Sequence, residues 1–222
     1  MDAPRYETFD PLTTHEAADE LMRLAERFGS YGMYGQGPIE EGIGAGLFQR
    51  HDVALNFINS GGRFGRPEPL EVLSRRTNYF RETYAYAEPQ VEGIEGFLHL
   101  ESFYEAARRV SERPVIKPAI VYANILVPGQ ELAVHTDVPE FRGMNRTKDP
   151  EWLLVVMLHS GLFEAWRIPI ATGVAWFGNP TGGDFCFYPE GVNGAAAVLA
   201  ARHNTAVLTD TDRCFHGIDR VG

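Results

Sequence analysis

The sequence predicts an α+β, mainly β fold: a β-sandwich or jelly roll carrying N-terminal helices on one face. Three observations lead there. Helical periodicity is concentrated in the first half of the chain, and six or seven short strand-like runs, punctuated by Gly, Asn, Asp and Pro, fill the second. No shift in composition marks a second domain, and 222 residues are ample for a single core. We therefore read residues 1–222 as one domain, with a mainly helical part over 1–116 and a strand-rich core over 117–222.

The elements follow in chain order. THEAADELMRLAERFG (14–29) places Ala17, Leu21, Leu24 and Phe28 on one helical stripe and stops at Gly29. SYGMYGQGPIEEGIGAG (30–46) is rich in Gly and Tyr without a repeat, and predicts a long loop, either a plain surface connection or a lid over a pocket. EPLEVLSRRTNYFRETYAYAE (68–88) is a second helical candidate. IEGFLHLESFYEAARRVSERP (94–114) is a third; Phe97, Leu100, Phe103 and Ala107 at helical spacing predict that it packs on a sheet. Aromatic residues of the first half (Tyr31, Tyr34, Tyr79, Phe80, Tyr84, Tyr86) serve either core packing or the roof of a pocket.

From Lys117 the texture changes. PAIVYANILV (118–127) reads as a strand, and PGQ (128–130) as a turn into ELAVHTDVPEF (131–141). EWLLVVMLHSG (151–161) is almost wholly apolar, as a strand buried on both faces would be. RIPIATGVAWFG (167–178), GDFCFYPEG (183–191), NTAVLTDTD (204–212) and RCFHGIDRV (213–221) read as further strands, while AAAVLAARH (195–203) fits a strand or a short helix equally.

Composition narrows the function classes. A formal net charge of −10 argues against a nucleic-acid groove or an anionic membrane surface as partner, leaving a small molecule as the expected one; oligomeric state is not readable. Cys186 and Cys214 fit two thiols in a reducing compartment. With no apolar leader and no run of membrane-spanning length, a cytoplasmic protein is expected.

One short motif carries chemistry. In VHTD, His135 and Asp137 lie two residues apart in a strand-like run, so both side chains point to the same face, with Cα atoms about 7 Å apart. Seven histidines and ten aspartates in 222 residues make about 0.3 such pairs by chance, so the pair needs company. His216, in DRCFHGIDRV, completes a set of two imidazoles and one carboxylate. Such a facial triad leaves adjacent positions open on an octahedral metal and suits Fe(II). His15, His51, His99, His159 and His203 show no comparable placement. A structural role for His135 and Asp137, with the aspartate merely turning the chain before Pro139, is the competing explanation.

At these residues the sequence resembles the Fe(II)- and 2-oxoglutarate-dependent oxygenases of the double-stranded β-helix (jelly-roll) fold. VHTD (134–137), GGDFCFYPEG (182–191) and NTAVLTDTDRCFHGIDRV (204–221) match in order and spacing, over roughly residues 118–222. The resemblance implies His135, Asp137 and His216 as iron ligands, with 2-oxoglutarate and O2 as cosubstrates. It also implies oxidation of a C–H bond in a small molecule (hydroxylation, or desaturation or cyclisation), with succinate and CO2 as co-products. Family members commonly anchor the far carboxylate of 2-oxoglutarate with an Arg or Lys about ten residues past the distal histidine. Here Arg220 is four residues past His216, too early for that strand, which leads to the expectation that the native chain extends beyond Gly222. Otherwise the anchor is sought at Arg142, Arg146, Arg167 or Arg220, with Tyr122 and Asn124 offering hydrogen bonds. Two rivals remain: a cupin-like metalloenzyme that does not use 2-oxoglutarate, and a non-catalytic β-sandwich binding module.

Overall fold

A computed structural model describes residues 6–33, 79–144, 148–191 and 193–222. In chain order the described elements begin with β1 (Tyr6–Phe9), α1 (His15–Phe28), β2 (Gly32–Met33), β3 (Phe80–Tyr86), β4 (Glu88–Pro89), α2 (Glu95–Leu98) and α3 (Glu101–Ser111). They continue with β5 (Ile120–Ile125), β6 (Leu132–His135), β7 (Glu140–Phe141), α4 (Glu151–Ser160) and a 3-10 turn at Glu164–Trp166. The last six strands are β8 (Arg167–Ile168), β9 (Thr172–Trp176), β10 (Phe185–Tyr188), β11 (Ala197–Leu199), β12 (Thr205–Thr209) and β13 (Phe215–Ile218).

Two antiparallel sheets form the centre. One has the order β1-β12-β9 and the other β11-β10-β13-β6. Val207 of β12, with Val174 and Trp176 of β9, meets Phe185 and Phe187 of β10, Leu199 of β11 and Ile218 of β13 in one apolar layer. Side chains alternate along a strand, so Leu208 of β12 points the other way and packs under α3 with Ala106, Ala107 and Val110. Every residue of β12 is therefore buried. Gly173 makes the helix contact close: a Cβ there would lie 2.6 Å from the Phe103 ring. A third sheet pairs β3 with β2, β4 and β5, and α1 and α2 cover it through Leu24, Ile94 and Leu98 against Tyr84, Ala85, Val121 and Ala123. Strands β7 and β8 pair separately, with Phe141 opposite Arg167.

Helix α1 forms as expected. Thr14 caps it by accepting from the Ala17 amide, and Gly29 ends it in a left-handed conformation (φ 69°). Its inward stripe is Ala18 and Leu24, with Leu21 partly buried, so Ala17 is exposed, one position off the expected face. Phe28 reaches the core only by resting on the rings of Tyr31 and Tyr84. The third helical candidate splits into α2 and α3 at His99–Leu100 and packs on a sheet, as its spacing predicts. AAAVLAARH contains a strand, β11.

Two elements differ from expectation. Residues 151–161 were expected to be a doubly buried strand and instead form helix α4, bounded by Pro150 and by Gly161 at φ 67°. Its Leu154 and Met157 pack on Phe141 and Val138, while Trp152 and Val156 stay exposed. The doubly buried strand is β12. In the second helical candidate, Phe80–Tyr86 is strand β3, where aromatic and β-branched residues favour extended backbone; residues 68–78 lie outside the described residues. Of the Gly-rich segment 30–46, only 30–33 is described, and Gly32–Met33 is strand β2. No helix among the described residues is long and apolar enough to cross a membrane.

Candidate metal centre

His135 is the last residue of β6, and His216 lies directly opposite it on β13. Directly opposed residues of an antiparallel pair project from the same face, so this register alone brings the two imidazoles together, with ring centroids 4.4 Å apart. The strands can approach this closely because residue 217 is glycine. A Cβ there would lie 2.7 Å from the Leu132 carbonyl oxygen and 3.0 Å from a Val134 methyl. The strand reading places Asp137 on the same strand as His135, but β6 ends at His135 and Asp137 sits in the irregular segment beyond it. Its amide donates to the Thr211 carbonyl at 2.8 Å, which swings the carboxylate back toward the histidines.

Asp137 Oδ1 is 3.7 Å from His135 Nε2 and 3.8 Å from His216 Nε2. One ligand atom from each of the three residues lies within 4.8 Å of the others. The 3.7–3.8 Å separations are too long for hydrogen bonds and lie within the about 4.2 Å that two bonds of about 2.1 Å to a shared cation can span at most, so cis donors would draw closer on binding. His216 Nδ1 is 2.8 Å from the Cys214 carbonyl oxygen. A carbonyl can only accept, so Nδ1 carries the proton and Nε2 presents its lone pair toward Asp137. Both histidines are buried, while the Asp137 side chain is 29% exposed, so the carboxylate marks the open side. Two imidazoles and one carboxylate are a donor set for a divalent transition metal, and the residues present fit it.

Behind Asp137 lies a charged cluster. Arg167 donates bidentately to Asp212, Nε to Oδ2 at 2.9 Å and Nη2 to Oδ1 at 2.6 Å, with both side chains buried. Asp210 stands 3.7 Å from the same guanidinium, and Arg213 and Glu164 close the outer edge. Burial, followed by the neighbouring Asp212 carboxylate, pushes the Asp210 carboxyl up to about 8, against the pull of Arg167 and Arg213.

The other candidates fall into separate places. Arg167 is near the centre, but its guanidinium faces a carboxylate of its own chain. Arg142 and Arg220 are exposed, Arg220 donating to the Gly129 carbonyl, and Arg146 lies outside the described residues. Tyr122 and Asn124 share the face of β5 opposite to Val121 and Ala123, which point to the helices. Arg81, which the sequence reading did not single out, is a neighbour of both. It stands opposite Asn124 on β3, with its guanidinium carbon 3.4 Å from the centroid of the Tyr122 ring. Reading 79–86 as a strand, on its Tyr, Phe and Thr content, would have paired it with β5 and exposed this neighbour. Tyr31 and Tyr84, proposed as core or roof, are core: their hydroxyls bond to each other above Leu24. Cys186 and Cys214 are both free thiols.

No protein-family model and no curated protein matches the chain. Among solved structures, it is similar to a prolyl-4-hydroxylase from Pseudomonas putida at 13% identity and TM-score 0.45, over 91% of this chain and 92% of that one. It is similar to OsALKBH1 at 15% identity and TM-score 0.43, over 99% and 87%. A third is an oxidoreductase of the 2OG-Fe(II) oxygenase family from Burkholderia pseudomallei, at 16% identity and TM-score 0.37, over 92% and 84%.

Proposed function

We propose that the protein is a non-haem Fe(II)- and 2-oxoglutarate-dependent oxygenase, built on a jelly roll, that oxidises a C–H bond of a small molecule. The observation that carries this reading is the convergence of His135, Asp137 and His216, with His216 held in the ligating tautomer by the Cys214 carbonyl. Bound there, iron would supply the redox chemistry that couples O2 and 2-oxoglutarate to C–H oxidation, with succinate and CO2 as co-products. The chain's own part is to hold three donors on one side, keep water from the buried imidazoles and leave the Asp137 side open to reactants. Arg81, Tyr122 and Asn124 share the face of their sheet turned away from α1 and form the carboxylate-binding group of this reading. A guanidinium with a tyrosine hydroxyl and an amide suits a dicarboxylate. The net charge of −10 favours a small molecule over nucleic acid as substrate in this reading, which also keeps the cytoplasm as the proposed place.

One observation favours a second reading, a cupin-like metalloenzyme without 2-oxoglutarate: Arg167, the buried arginine among the described residues, is taken by Asp212. Aerobic incubation with iron and 2-oxoglutarate, with succinate quantified, separates the two. The proposal expects slow succinate formation even without substrate, abolished in His135→Ala. A protein that binds iron and releases no succinate under any condition belongs to the second reading.

A further inference from the structure

We infer that Thr172, Thr211 and the buried Arg167–Asp212 pair position the metal ligands, through one loop that orients two of the three; this rests on the metal-centre reading above. Thr172 Oγ1 is 3.4 Å from Asp137 Oδ2 and 2.6 Å from Thr211 Oγ1. The Thr172–Asp137 contact is long for a hydroxyl bond, but an ionised carboxylate only accepts, so we assign the single proton of the Thr172 hydroxyl to Asp137. Thr172 must then accept from Thr211, which fixes the direction of the relay: Thr211 to Thr172 to Asp137. The two carboxylate oxygens are thereby assigned separate tasks. Oδ2 is held by the relay, and Oδ1 is the atom that faces both imidazoles.

The loop carrying Thr211 has little freedom. Thr211 and Asp212 are fully buried, and Asp212 is gripped bidentately by Arg167, which β7 and β8 bring in from the opposite side. The Asp210 carbonyl accepts from the amides of Arg213 and Cys214, tightening the turn. Two carbonyls of the loop then act outward: that of Thr211 accepts from the Asp137 amide, and that of Cys214 accepts from His216 Nδ1–H. Arg167 thus acts on the centre without reaching it. It sets the loop, and the loop sets Asp137 and the His216 tautomer. Groups at this remove from a metal typically change its affinity by about 10–100-fold when altered.

The test is anaerobic equilibrium titration with Co(II), followed by its visible absorption, on the full chain and on Thr172→Val, Thr172→Ser and Arg167→Lys. Valine keeps the shape of threonine and removes the hydroxyl; serine keeps the hydroxyl and removes the methyl. Thr172→Val is expected to weaken Co(II) binding about 10–100-fold with its melting temperature nearly unchanged, and Thr172→Ser to stay within about threefold of wild type. Arg167→Lys, which keeps the charge and loses the bidentate grip, should also weaken binding and alter the band intensities. Should Arg167→Lys fail to fold, the Thr172 pair still decides. Wild-type affinity in Thr172→Val, or equal losses in the valine and serine variants, overturns the positioning role while leaving the metal centre standing. No Co(II) binding by the wild type sinks the metal centre and this inference with it.

Discussion

His135, Asp137 and His216 are useful only together, and each contributes one donor atom to a group lying within 4.8 Å of one another. Replacing His216 by Gln, or Asp137 by Asn, should lower divalent-metal affinity by at least about a hundredfold, with the apo fold preserved by circular dichroism. Gly217 acts at the same scale. Gly217→Ala puts a methyl 2.7 Å from the Leu132 carbonyl, which pushes β6 off β13 and draws His135 away from His216. It should cost about 1–3 kcal/mol of stability and weaken metal binding in parallel, readable by denaturant unfolding and Co(II) titration. Asp210 yields a pH prediction. Its carboxyl is raised to about 8 in the folded chain, well above its unfolded value near 3.8. Between those values the unfolded state ionises while the folded state keeps its proton, so the unfolded state binds fewer protons and stability falls as pH rises. The loss runs from about pH 4 to about pH 8 and then levels. Asp210→Asn should flatten that fall in the apo protein, seen by comparing unfolding free energies at pH 5 and pH 7.5; an unchanged slope would assign it to other groups.

Strand β12 joins the two layers: Val207 looks into the sandwich and Leu208 under α3, with no exposed residue between Thr205 and Thr209. Leu208→Ala should therefore cost about 2–5 kcal/mol by opening space under Ala106 and Val110, without changing metal affinity in the folded fraction. The strands from Ile120 on were readable because alternation, Gly and Pro set both their period and their ends. Helix α4 was not, because its residues are apolar on nearly every side and give no helical period. Its boundary residues carried the missing signal: Pro150 just before it and Gly161 just after, with ten residues between, longer than most strands. Strand β3 was hidden by a helical reading that began upstream, and Arg81 was hidden with it.

At the scale of the molecule, the motif was visible and the assembly was not. His135 and Asp137 stand two residues apart in sequence, so their pairing can be proposed from strand geometry. His216 reaches them through the β6–β13 register, a consequence of how the sheet closes that no local pattern encodes. The loop at 210–214 is still less visible, because Thr172, Arg167 and Asp212 are ordinary residues until β9, β8 and the end of β12 deliver them to one place. The central claim is that this arrangement is an iron centre open to 2-oxoglutarate. Anaerobic titration with Fe(II) and then 2-oxoglutarate tests it most directly, watching for the weak visible charge-transfer band of a chelated keto acid. The account predicts one iron per chain, a band that saturates with 2-oxoglutarate, no band in Asp137→Ala, and a weakened 2-oxoglutarate dependence with normal iron binding in Arg81→Met. Stoichiometric iron binding with no band at any 2-oxoglutarate concentration, or an undiminished band in Asp137→Ala, would contradict it.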